Sequence, residues 1–119
     1  MAGYRVDRAS EDIKREIVAI IRELKDPRVR DKILTVVRVE VSSDLSYAKV
    51  YISSMNGIGD AKEAVEGLKS ATGLIRREVG GKLHLRKTPE LKFIADDSVE
   101  HGMELFKKID NSTVRDEND

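Results

Sequence analysis

A chain of 119 residues suits one domain, which at this size buries roughly two thirds of the surface its unfolded form exposes. The absence of cysteine excludes disulfides and thiolate metal sites, and no apolar run is long enough to cross a bilayer, so a cytoplasmic protein is expected. The 22 basic and 22 acidic residues cancel to zero, which by itself would argue against a polyanion partner, but they are unevenly distributed.

Val6, Ala9, Ile13, Ile17, Ile20, Ile21 and Leu24 recur at spacings of three and four, predicting a helix with one buried stripe. Glu11 and Arg15 are placed to pair across one turn. Pro27, within Asp26-Pro27-Arg28, ends this helix, and a connection then runs to Ile33. From Thr35 to Ser42, Val37, Val39 and Val41 alternate with Arg38, Glu40 and Ser42, as in a half-buried strand. Ser43-Asp44-Leu45-Ser46 then reads as a turn into a second strand, Tyr47 to Ser53, giving an antiparallel hairpin. Ala48, Val50 and Ile52 face inward there, and Tyr47, Lys49 and Tyr51 outward. The outward tyrosines could stack bases, but cross-strand packing explains them with less, since sheet platforms for RNA carry more aromatics.

Asn56-Gly57-Ile58-Gly59 breaks the strand, and Asp60 with Glu63 reads as a capping box opening a helix. Its stripe is Ala61, Val65, Leu68 and then Ala71 or Thr72. A second stripe, Ile75, Val79 and Leu83, does not continue the first at constant period. Glycine costs a helix interior about 1 kcal/mol relative to alanine, so two helices, or one kinked helix, are expected to meet at Thr72-Gly73. Gly80-Gly81 is a second weak point, where the latter half is expected to fray or to stop before Leu85. Leu91, Phe93 and Ala95, alternating with Lys92, Ile94 and Asp96, form a third strand after Thr88-Pro89. Asp97 with Glu100 caps a last helix carrying Val99, Met103, Phe106 and Ile109, and the acidic residues 111–119 form a disordered tail beyond a domain of residues 1–110. The class is therefore α+β, with a three-stranded sheet, helices on one face and an added C-terminal helix, and not a doubly wound parallel sheet.

Charge sharpens this layout. Residues 67–92 hold Lys69, Arg76, Arg77, Lys82, Arg86, Lys87 and Lys92 against only Glu78 and Glu90, whereas residues 96–119 hold eight acids against three bases. Basic runs most often mark a solvated helix face, but a local field is also what phosphate binding needs. A break at Ala71-Thr72-Gly73 frees backbone N–H groups around Gly73, Leu74 and Ile75, which with the helix dipole can hold a phosphate oxygen. Lys69, Arg76, Arg77 and Lys82 lie within a few turns of it, and Arg86 and Lys87 extend the field. Exchanging Arg76 and Arg77 for Glu should then weaken binding without changing thermal stability. The alternative is a kink that only wraps the helix over the sheet. Arg5, Arg8, Lys14, Arg15 and Arg22 are interspersed with acids and should add one or two contacts at most. His84 and His101 belong to no nucleophile or metal-ligand spacing, Asp96-Asp97 is explained by a strand end and a cap, and no phosphate-binding Gly-rich loop is present. No catalysis, cofactor or metal is expected.

Asp26-Pro27-Arg28, the hairpin VEVSSDLSYAKVYIS and the run LKSATGLIRREVGGKLHLRKTPELKFIADDS, at their mutual spacing, resemble the bacterial ribosome-binding factor A family from Arg5 to Ile109. That family is similar to type II KH domains in which an Ala-x-Gly kink replaces the Gly-x-x-Gly loop, and Ala71-Thr72-Gly73 has this form. The resemblance implies a monomeric maturation factor that binds the free small (30S) ribosomal subunit and immature 16S rRNA. It also implies a role in late maturation and pre-rRNA processing, above all in the cold, with no membrane or small-molecule partner. A generic single-stranded RNA-binding module and a protein adaptor using a free sheet edge are the other readings.

Overall fold

The computed structural model describes residues 2–97, so the expected helix around Val99–Ile109, the acidic tail and His101 lie outside the described residues. Seven elements follow one another: α1 (Ala2–Glu23), α2 (Pro27–Arg30), β1 (Leu34–Val41), β2 (Tyr47–Ser54), α3 (Ile58–Ser70), α4 (Thr72–Leu83) and β3 (Glu90–Ala95). The sheet has the order β1-β2-β3, with β1 and β2 antiparallel and β3 parallel to β2. Parallel pairing requires a long crossover, and the α3–α4 pair supplies it. This is the α+β arrangement expected, with the broken helix in the expected place.

One sheet face is apolar. Ala48, Val50 and Ile52 of the central strand are fully buried, with Val36, Val39 and Val41 on one side and Leu91 and Phe93 on the other. Ile13 and Ile17 of α1, Val65 and Leu68 of α3, and Ile75 and Val79 of α4 close the core over that face. Their spacing of three or four puts each pair on one side of its helix.

Four local expectations are corrected. Val37 does not face the core, because the register shifts between Val36 and Arg38, and the extra residue lets Val36 and Val39 both point inward. The stretch after Pro27 is not plain connection but a helical turn, with the proline at its start and Asp26 as N-cap. Asp60 does not cap α3; the helix starts earlier, at Ile58, after Gly57, whose φ of 109° suits glycine. Glu63 is thereby free to meet the largely covered Lys32 at 3.3 Å. Arg15 pairs with Asp12 at 3.7 Å, not with Glu11, in an exposed contact of small energetic consequence.

Of the expected turn, Ser43-Asp44-Leu45-Ser46, the Asp44 carboxylate forms the centre. It accepts the hydroxyls of Ser46 and Ser42 at 2.7 and 2.8 Å and the Ser46 N–H at 3.1 Å, which hold its pKa down to about 2. The outer sheet face carries the tyrosines. The Arg38 guanidinium lies 4.1 Å from the Tyr51 ring centre and the Lys92 ammonium 5.0 Å from that of Tyr47, so both rings are engaged by cations of neighbouring strands.

Candidate nucleic-acid interface

The break between α3 and α4 is one residue wide. Ala71 ends the first helix and precedes the second, at φ −99° and ψ 8°, outside regular helical values. Its own N–H donates to Leu68 O at 3.1 Å, and its carbonyl accepts the Ile75 N–H at 2.9 Å. The N–H of Ile75 is therefore used, and the groups without a partner inside α4 are those of Thr72, Gly73 and Leu74, one residue earlier than the sequence suggested. Thr72 turns its hydroxyl back onto the carbonyls of Lys69 and Leu68, at 2.8 and 3.2 Å. It thus braces the bend by adding a side-chain donor to carbonyls at the end of α3, and does not point its hydroxyl outward.

Gly73 has no internal reason to be glycine. A Cβ there would meet nothing within 4 Å, and its φ is not among the positive ones. Gly81 is the same, with open space where a side chain would be. Gly73, Arg77 and Gly81 stand four residues apart, so they form one row along α4, all three exposed. This row is a bare strip of helix with a guanidinium at its middle.

The two neighbouring arginines of the sequence behave differently. Arg77 makes no side-chain hydrogen bond or ion pair among the described residues. Arg76 is half-buried and donates through Nη2 to Thr88 O at 2.9 Å and through Nε to Pro89 O at 3.2 Å. It ties α4 to the segment entering β3, so the expectation that Arg76 is replaceable without loss of stability is corrected. Gly80 shares this contact region, since a Cβ on it would run into the Thr88 hydroxyl. The second glycine pair therefore divides into one residue required by packing and one left open.

The far end of α4 is well made. His84 adopts the left-handed conformation, φ 53° and ψ 41°, while Leu85 N–H reaches Gly80 O at 3.0 Å and His84 N–H reaches Gly81 O at 3.4 Å. That is a Schellman motif, and it stops the helix at Leu83 without fraying. Lys82 is exposed about 14 Å along the axis from Gly73 at 1.5 Å per residue, and Arg86 and Lys87 are exposed in the segment that follows the helix. Lys69 is exposed at the end of α3 and sits 3.5 Å from Glu66. The structure thus brings Lys69, Ala71, Thr72, Gly73 and Arg77 together at the bend. Lys82, Arg86 and Lys87 gather at the other end of α4, while Arg76 is turned to the protein. Lys92, counted in the same basic run, is on the outer sheet face.

Sequence reasoning missed one cation near the bend. Arg28 of α2 is held by Asp26 through Nη2 to Oδ2 at 2.7 Å and Nε to Oδ1 at 3.1 Å, and its Nη2 also reaches Ser70 Oγ at 3.3 Å. The side-chain hydrogen bond from Arg28, then that from the Arg28 N–H, lowers the Asp26 pKa. The signal that could have revealed this is Asp-Pro-x itself, which codes for an N-cap followed by a proline at the first helical position.

The family model described as ribosome-binding factor A matches residues 5–109. The chain belongs to this family. It is 47% identical over 112 residues to ribosome-binding factor A of Acetivibrio thermocellus, covering 93% of this chain and 90% of that protein. It is 44% identical over 120 residues to that of Clostridium tetani, covering 100% and 98% respectively. Among solved structures, a ribosome binding factor A from Thermotoga maritima is similar at TM-score 0.69 and 34% identity, over 76% of this chain and 86% of that one. The crystal structure from Thermus thermophilus is similar at TM-score 0.67 and 26% identity, over 76% and 93%. A homology model of the Thermus thermophilus ribosome binding factor A, fitted into the cryo-electron-microscopy map of a complex with the 30S subunit, matches at TM-score 0.58 and 28% identity, over 70% and 86%. The family is thus one of ribosome-binding factors rather than a class of enzyme.

Proposed function

We propose that this chain is an assembly factor for the small ribosomal subunit that binds the free 30S particle and its immature 16S rRNA through the bend between α3 and α4. It aids late maturation and pre-rRNA processing by holding RNA, not by chemistry, and its work is most needed in the cold, where misfolded RNA escapes slowly. The observation that carries this reading is the row Gly73, Arg77, Gly81. Two glycines without a conformational or packing role, flanking an arginine unpaired among the described residues, leave the helix surface open to a sugar-phosphate backbone. The first turn of α4 lies at one end of that strip and the cations Lys82, Arg86 and Lys87 at the other, so a strand following it meets positive potential along its length. Membership in the ribosome-binding factor A family supports the reading, as does the relative seen in complex with the 30S subunit.

The test is co-sedimentation of the tagged protein with 30S subunits, followed by RNA crosslinking. Crosslinks from residues 69–87 to 16S rRNA are the expected result. Lys69, Arg77, Lys82, Arg86 and Lys87 would neutralise about four to five phosphates, which corresponds to a log–log salt slope of about −3 to −4.5. Gly73→Ala should weaken binding while leaving thermal stability unchanged or slightly raised. Salt-insensitive binding, or equal affinity for any unstructured oligonucleotide, would remove the ribosomal assignment.

A further inference from the structure

The bend is gripped on its α3 side by a device in another part of the chain. Val29 of α2 is buried against Gly67, where an added Cβ would sit 2.8 Å from Val29 Cγ2, 3.3 Å from Arg28 Cβ and 3.5 Å from Asp26 Cγ. Gly67 therefore lets α2 lie directly on the last turn of α3, the turn immediately before Ala71. The Arg28 guanidinium then bridges Asp26 to Ser70 Oγ, and Ser70 Oγ in turn donates to Glu66 O at 3.2 Å. A cation at this C-terminal end also complements the helix dipole of α3.

We infer that the Asp26–Arg28 clasp is a positioning element of the RNA site, which sets the direction of the last turn of α3 and so aims the first turn of α4. This rests on the RNA-binding reading of the bend. Arg28 is not itself a phosphate ligand by the same observations. Asp26 occupies two of its three nitrogens, and Glu63 and Glu66 lie close enough to stabilise its charge further. A phosphate arriving there would displace or face carboxylates, whereas no carboxylate among the described residues is paired with the Arg77 guanidinium.

Two measurements on Arg28→Lys and Asp26→Asn decide the matter, with Arg28→Ala and Arg77→Ala as comparisons. In the free protein, amide resonances of Ser70 to Leu74 should move in both clasp variants while those of β1, β2 and β3 stay in place. In titrations with a transcript of 16S rRNA, Arg28→Lys should bind about three- to tenfold more weakly, the net scale of one ordinary hydrogen bond, with the wild-type salt slope. Arg77→Ala should flatten that slope by about 0.7 to 0.9. Wild-type affinity in Arg28→Lys, unmoved amides at the bend, or a slope flattened by Arg28→Ala as by Arg77→Ala would each overturn the clasp. A wild-type protein that fails to bind the transcript sinks the functional reading instead, and the amide shifts still report on whether the clasp sets the bend.

Discussion

The two ends of α4 are alike in sequence and unlike in structure. At the bend, residues 70–77 combine Arg77, which has no side-chain partner among the described residues, with side chains that are engaged: Thr72 with α3 carbonyls, Ser70 with Arg28, and Arg76 with the Thr88 and Pro89 carbonyls. At the far end, Lys82, Arg86 and Lys87 are exposed and make no side-chain hydrogen bond or ion pair among the described residues. The first end has defined geometry and little spare charge; the second has spare charge and no fixed side chains. Geometry is what orients a strand and charge is what attracts it, so a site built from both separates position from affinity.

The largest effect should come from removing the attracting end. Exchanging Lys82, Arg86 and Lys87 together for Ala should lower affinity for the 30S subunit by about a hundredfold at moderate salt and flatten the log–log salt slope by about 2 to 2.7. Thermal melting should not change. If melting fell with affinity, the far end would be structural and the contrast would fail. Next in size, Arg76→Ala should cost about 1 to 3 kcal/mol of stability by leaving two carbonyls without their donor, whereas Arg77→Ala should cost almost none; chemical denaturation of the pair measures the difference.

A smaller effect separates the glycines and the cap at the far end. Gly81→Ala should stabilise the protein by about 0.5 to 1 kcal/mol, since nothing obstructs the new methyl group and helix propensity improves. Gly80→Ala should not, because Thr88 must move. His84→Gly should add about 0.5 to 1 kcal/mol by relieving the left-handed backbone at the Schellman position. Differential scanning calorimetry of the three variants tests the packing account. The smallest effect concerns pH and lies away from α4. The folded pKa of Asp44 is depressed to about 2, so its contribution is complete above its ordinary value of 3.8 and is lost as pH falls through 2. Asp44→Asn should therefore show a shallower loss of stability than the wild type between pH 4 and pH 2, with urea midpoints as the measure.

Much of the fold could be read from residue order because its causes are local. The α1 stripe, the alternation of β2 and the failure of the α3 and α4 stripes to share one period are each set by neighbours three, four or two residues apart. The bend at Ala71 follows from that mismatch, as does its pairing with the basic run. Where the cause was a distant partner, reading along the chain went wrong. The bulge at Val37 depends on how β1 pairs with β2, and the choice among Val36, Val37 and Val39 for the core cannot be made on β1 alone. Arg76 and Arg77 are chemically the same in sequence, and only the approach of Thr88 and Pro89, a dozen residues on, turns one into a tether and leaves the other open.

The sequence by itself determined the order of the elements other than α2, the bend and the concentration of positive charge around it, together with a family resemblance that the comparisons bear out. Tertiary structure alone decided which of those charges are available. The Arg76 guanidinium is spent because folding brings the Thr88 and Pro89 carbonyls of the approach to β3 within about 3 Å of it, a dozen residues on, and no such group comes to Arg77 among the described residues.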